Sequence, residues 1–211
     1  MFRIPSSVSR VMIIVGLAAA GCAPIDSGRP GVEAVAAITP EGVPDLPETT
    51  QPSAAPAVEL PDGGPAPELT NTVWRNTPGN LPLRLADLRG QVVALEFWTF
   101  GCLNCQHVMP SLKEWHERYS SQGLAIIGNH YPEFAYEADL GNLEEAIARF
   151  ELPYAVAQDN ERATWSAYGV RYWPTLMLID KQGHIRYEHI GEGRYAETEA
   201  AIRTLLAESY P

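Results

Sequence analysis

Three cysteines in 211 residues are too few for a fold stapled by disulfides. Basic side chains are scarce as well. The 15 Lys and Arg against 26 Asp and Glu leave a formal charge of −11, which excludes nucleic acid as a partner and excludes docking on anionic lipid by charge. No apolar run approaches the roughly 20 residues that cross a bilayer; the run at the front, Val11 to Ala20, is too short. No segment repeats, and the length suits one ordinary domain with additional chain outside it.

That additional chain lies at the N-terminus. Arg3 and Arg10 precede the apolar run, and Gly21-Cys22 follows it, the three-part layout of a secretory signal over residues 1–22. Leu17-Ala18-Ala19-Ala20-Gly21-Cys22 is similar to a bacterial lipobox, with Ala19 where Leu is preferred. It implies that Cys22 is the lipidated first residue of the mature chain, anchored to a membrane on the periplasmic side. The competing reading is ordinary cleavage after the alanines, with Cys22 free or lost. Residues 23–67 follow as a linker. From Pro24 to Pro67 there are ten Pro, five Gly and seven acids against Arg29 alone, a composition of low-complexity, disordered chain.

The remaining residues, 68–211, pattern as one α/β domain. Val92-Val93-Ala94-Leu95-Glu96-Phe97-Trp98 reads as a central strand buried on both faces and interrupted by one acid. Cys105, Val108, Met109, Leu112, Trp115 and Tyr119 then recur at helical spacing, with Pro110 inside the helix. Leu124 to Gly128 predicts a second strand, and Asn142 with Glu145 predicts the cap of the next helix. Tyr154 to Ala157 is a third strand and Arg162 to Tyr168 a short helix. Two strands flanking Asp180-Lys181-Gln182-Gly183 form a hairpin, and a last helix begins near Tyr195. Within Asn71 to Gly90, which is rich in turns, a short hairpin is expected. The order β-α-β-α-β-α-β-β-α implies parallel strands with crossover helices, closed by an antiparallel hairpin.

With Cys22 set aside, Cys102 and Cys105 are what remains for chemistry. A two-residue spacing closes too small a loop to stabilise the chain usefully, whereas it suits a redox pair. Disulfide exchange needs a thiolate, and a helix start favours one through unpaired N–H groups and the positive end of the macrodipole. Cys102 is therefore read as the exposed nucleophile and Cys105, one turn further in, as the resolving thiol. Zinc would require a second pair that the chain lacks.

Phe97-Trp98-Thr99-Phe100-Gly101-Cys102-Leu103-Asn104-Cys105, Pro110, Trp173-Pro174-Thr175, Leu178-Ile179-Asp180 and Gly183 together resemble the thioredoxin-like superfamily, TlpA/ResA type. His130-Tyr131-Pro132-Glu133-Phe134 brings the chain close to the C-terminal redox domain of DipZ-like cytochrome c biogenesis proteins. The resemblance implies a thioredoxin fold, a central mixed sheet flanked by helices with an insertion after the second strand. It also implies an exported protein-disulfide oxidoreductase working as a reductase, with apocytochrome c thiols as candidate substrate. Gly101 departs from the pattern, which commonly carries Trp before the first Cys. No cofactor is implied beyond the redox-active Cys102–Cys105 disulfide. The implied partners are protein thiol and disulfide substrates and a membrane electron donor of the DsbD/CcdA type.

By the same resemblance Pro174 matches a cis-proline facing the cysteine pair, and the backbone of Trp173 pairs with an extended substrate strand. Tyr172 and Trp173 form an apolar rim. Glu96 stands where relatives carry a buried acid beneath the pair, and burial raises such a group's pKa. It then exchanges a proton with Cys105, unless a neighbouring polar group satisfies it. His130 ends the second strand, on the edge where open α/β sheets place their sites. It is either a modulator of Cys102 or, as the stronger reading, a structural or solvated histidine. His107 and His116 read as boundary residues, and Trp98, Trp115 and Trp165 as core. Two other functions compete. A thiol peroxidase is suggested by Thr99 three residues before Cys102, although Leu95 stands where that site needs Pro. A metal-delivery module would use both cysteines with His130 or Met109.

Overall fold

The computed structural model describes residues 60–210. The secretory signal, Cys22 and most of the linker lie outside the described residues.

A single six-stranded mixed sheet organises the domain. Its strands are β1 (Val73–Arg75), β2 (Val92–Trp98), β3 (Leu124–His130), β4 (Ala155–Gln158), β5 (Thr175–Ile179) and β6 (Ile185–Ile190), in the spatial order β1-β4-β3-β2-β5-β6. The strands β2, β3 and β4 run parallel, as crossover helices require. The outer strands β1, β5 and β6 pair antiparallel. Among the described residues four α-helices pack on this sheet: α1 (Leu103–Tyr119), α2 (Leu140–Phe150), α3 (Ala163–Ala167) and α4 (Tyr195–Ala207).

Side-chain alternation along β2 divides the core in two. Val92, Ala94 and Trp98 face one cluster, where they meet Leu112 and Trp115 of α1, Leu143 of α2 and Ile202 of α4. Val93, Leu95 and Phe97 face the other, with Trp74, Trp165 and Met177. Every residue of β2 is buried, as its continuous apolar run predicts. Trp98, Trp115 and Trp165 are core residues.

Three local expectations are corrected. Residues 71–90 form no hairpin: β1 pairs with the distant β4, and the rest is two 3-10 turns, Pro78–Asn80 and Leu85–Leu88. The cap of α2 is Asp139, whose Oδ1 accepts the Asn142 N–H at 3.0 Å, so the helix starts before Asn142. Residues 60–67, read from composition as linker, dock against the β5–β6 hairpin. Gly63 N–H donates to Ile185 O at 2.8 Å and Ala66 N–H to Gly183 O at 2.9 Å. Arg186 donates to the Leu60 and Pro61 carbonyls. The physical reason is that β6 is an edge, and an edge offers unpaired backbone groups to any extended chain.

Candidate active site

The central strand β2 delivers its C-terminal end to a tight turn, Thr99-Phe100-Gly101, which opens α1. Cys102 is the N-cap of that helix, and its Sγ accepts the Cys105 N–H at 3.4 Å. The sulfur thus occupies the position where Ser or Asp would satisfy a free amide. Cys102 is half-buried and Cys105 buried, both as free thiols. Burial pushes the Cys105 thiol well up, and its hydrogen bond to Cys102 and the negative charge of Glu96 act in the same direction. The two sulfurs are therefore unequal: one reaches solvent at a helix start, and the other holds its proton.

Glu96 lies on the α1 side of β2 and is 2% exposed. Among the described residues neither carboxyl oxygen has a hydrogen-bond partner, so no polar neighbour there satisfies the carboxylate. Burial raises its pKa well above the ordinary carboxylate range. An acid in this state carries a proton at pH values where an exposed glutamate has lost it.

The turn after α3 reaches the same end of the sheet. Phe97 of β2 is opposite Thr175 of β5, so the Trp173–Pro174 bond, which is cis, sits at the edge where the Cys102 turn begins. Tyr172 is exposed. Trp173 is less free than a rim residue would be, because its ring stacks on Tyr131 at 5.7 Å and packs on Trp165 at 4.6 Å.

His130, the last residue of β3, is fully buried. It packs edge-on against Trp98 and stacks on Phe100 at 5.3 Å, with Nε2 3.3 Å from Thr99 Oγ1. Burial pulls its pKa down to about 4, against a smaller upward pull from the Glu137 charge. Burial thus keeps it uncharged at neutral pH, beside the turn that leads to Cys102. His107, by contrast, is exposed and pairs with Glu192 at 2.7 Å.

Glu137 was not singled out in the sequence. It closes the 3-10 turn Ala135–Ala138 in the insertion between β3 and β4 and is 0% exposed. Its Oε2 accepts the Glu133 N–H at 2.7 Å and the Phe134 N–H at 2.9 Å, while Oε1 accepts the Gly101 N–H at 2.8 Å. The signal available in the sequence was the acid shortly after His130-Tyr131-Pro132-Glu133-Phe134, together with the unusual Gly101. Among the described residues no group of three or more His, Cys, Asp or Glu side chains is placed to hold a metal ion.

A cysteine pair at a strand-to-helix turn, a buried acid and a cis-proline just before the neighbouring strand thus lie at one end of the sheet. The sequence matches the AhpC/TSA family over residues 55–188. The chain belongs to the AhpC/TSA family. Within reach of this AhpC/TSA domain, Protein DipZ of Mycobacterium bovis is 44% identical over 156 residues, which are 74% of this chain and 22% of DipZ. The chain therefore spans about a fifth of that relative. Thiol-disulfide oxidoreductase YkuV of Bacillus subtilis is 25% identical over 146 residues, 69% of this chain and 96% of YkuV. The crystal structure of thioredoxin-like superfamily protein SPOA0173 superposes with a TM-score of 0.64 at 30% identity, covering 70% of this chain and 99% of that one. The thioredoxin-like architecture of the AhpC/TSA domain follows from both its strand order and this likeness.

Proposed function

We propose that the protein is an exported protein-disulfide reductase that exchanges disulfides with substrate proteins through Cys102 and Cys105. The observation that carries the reading is the inequality of the two thiols: Cys102 caps α1 and meets solvent, whereas Cys105 is buried beside the acid Glu96. In the forward reaction the Cys102 thiolate attacks a substrate disulfide and expels one substrate thiolate. The Cys105 thiolate, after giving up its proton, then attacks Cys102 Sγ and releases the second substrate thiol. The protein leaves oxidised as the Cys102–Cys105 disulfide and the substrate leaves as a dithiol. In this reading Glu96, whose charge acts on Cys105, takes the Cys105 proton in its ionised form. Trp173, next to the cis-Pro174, offers backbone groups to an extended substrate, and exposed Tyr172 lies beside them.

A cycle of this kind needs an electron source, and a membrane donor of the DsbD/CcdA type is the proposed one. Lipidation of Cys22 would hold the domain at a membrane, with the Pro-rich segment as tether. The likeness to the thiol-disulfide oxidoreductase YkuV supports this class of activity. The peroxidase reading gains nothing from Thr99, whose buried hydroxyl is engaged with His130.

The test is trapping. Replacing Cys105 with Ser removes the resolving thiol, so Cys102 should accumulate mixed disulfides with particular proteins in the exported compartment, absent when Cys102 is also replaced. Rapid peroxide consumption by the wild type, with no trapped partner, would overturn the proposal.

A further inference from the structure

The geometry points to Glu137 as a positioning residue of the exchange reaction: its buried carboxylate holds the peptide immediately before the nucleophile and ties the Cys102 turn to the inserted segment. The inference rests on Cys102 being the attacking thiol, as proposed above.

A carboxylate with no exposure needs partners for its charge, and Glu137 finds three backbone amides. Two of them, from Glu133 and Phe134, belong to its own turn and account for its presence there as a local cap. The third does not. Gly101 is 36 residues away in the chain and stands next to Cys102. The site is also built to exclude a side chain at that position. A Cβ on Gly101 would overlap Glu137 Oε1 and lie 2.9 Å from the Tyr136 hydroxyl. Gly101 and Glu137 are therefore a matched pair, which explains why position 101 carries no side chain. Gly101 has no positive φ among the glycines that do, so its backbone conformation does not demand glycine; the contact with Glu137 does.

The consequence is mechanical and electrostatic together. Charge-assisted hydrogen bonds are about twice as strong as neutral ones, so the Gly101 amide is fixed, and with it the path into the N-cap. Cys102 Sγ keeps its approach to the Cys105 N–H only while that path is held. The turn that carries Glu137 also presents Phe134 and Tyr136 to solvent, their rings stacked at 5.9 Å. A substrate touching those rings touches the segment that fixes the nucleophile.

Two variants break the same bond from opposite sides. Glu137→Gln removes the charge and keeps the shape. Gly101→Ala keeps the charge and displaces the oxygen, without touching the Glu133 and Phe134 amides. The rate of Cys102 with a small aromatic disulfide should fall about tenfold in each, a loss of one charge-assisted contact. In the Glu137→Gln variant the Gly101 amide proton, read by NMR, should lose its downfield shift. The double variant should be no slower than the slower single one, because one contact is being removed twice. Should Glu137→Gln fail to fold, Gly101→Ala alone with its rate and the kcat-against-KM split carries the test: kcat should fall with KM unchanged. A wild-type rate in a folded Glu137→Gln or Gly101→Ala variant, or losses that add in the double variant, overturns the assignment. Wild-type protein that exchanges no disulfide at all would instead overturn the function on which it rests.

Discussion

Acid should destabilise the domain through His130 well before general acid unfolding begins. The imidazole is fully buried between Trp98 and Phe100, and burial holds its pKa at about 4 against an ordinary 6.5. In the unfolded chain the same side chain protonates near 6.5. Below that pH the unfolded state binds a proton that the native state refuses, so stability falls as pH drops from about 6.5 to about 4 and is fully present above. At roughly 1.4 kcal/mol for each pH unit, that interval is worth about 3 kcal/mol, a large share of the ~5–15 kcal/mol that holds a domain of this size. Glu96 acts in the opposite sense, because its raised pKa stabilises the protein as pH falls. The His130 contribution therefore has to be read by difference. Urea unfolding of wild type and His130→Phe between pH 4.5 and 8 supplies it: the variant keeps an aromatic ring between its neighbours and loses the Thr99 contact at every pH. The stability difference should be largest above pH 6.5 and shrink by about 2–3 kcal/mol towards pH 4.5. A pH-independent difference would show that His130 is protonated in the native protein, or exposed to solvent, and would refute the argument.

Glu96→Gln removes a carboxyl that the fold prefers protonated. A raised folded pKa means stability that is present at low pH and lost as pH rises through that pKa. The variant should therefore gain stability over wild type at pH 8 but not at pH 4, measured by urea midpoints, while single-turnover resolution by Cys105 slows about a hundredfold or more, as expected for loss of a proton-transfer group. Alkylation of the reduced protein followed by mass spectrometry should modify Cys102 first, with Cys105 at least about tenfold slower because its thiolate is disfavoured by burial; equal rates would dissolve the assignment of roles.

What could be read from the chain depended on how local the cause was. The strand Val92–Trp98 announces itself, since seven residues buried on both faces must be apolar, and the one acid among them is by that fact conspicuous. The cysteine pair and its helix are equally local: capping, spacing and the apolar stripe of α1 lie within one stretch of chain. The antiparallel closing hairpin follows from a turn signal at Asp180-Lys181-Gln182-Gly183, where Gly183 takes a φ of 88°. Expectation failed where the cause was distant. The strand β1 exists because Val73–Arg75 find the edge of β4, and nothing in those residues names that partner. Residues 60–67 carry the composition of a linker, yet the open edge of β6 recruits them. The surroundings of His130 were equally hidden, because Trp98, Thr99 and Phe100 come from a different strand and turn.

The same distance hid Glu137. In a linear reading a glycine before Cys102 is a missing side chain, and an acid in an insertion is surface charge. Folded, the two occupy one volume: the space Gly101 leaves is filled by the oxygen that accepts its amide. Loss of either partner leaves a problem for the other, an unpaired buried carboxylate oxygen or an unpaired amide at the turn, each costing about 1–3 kcal/mol. Substitution at 101 by alanine therefore displaces the Glu137 oxygen, and a chain that carries a bulky residue before its first cysteine must hold that turn by some contact other than this one.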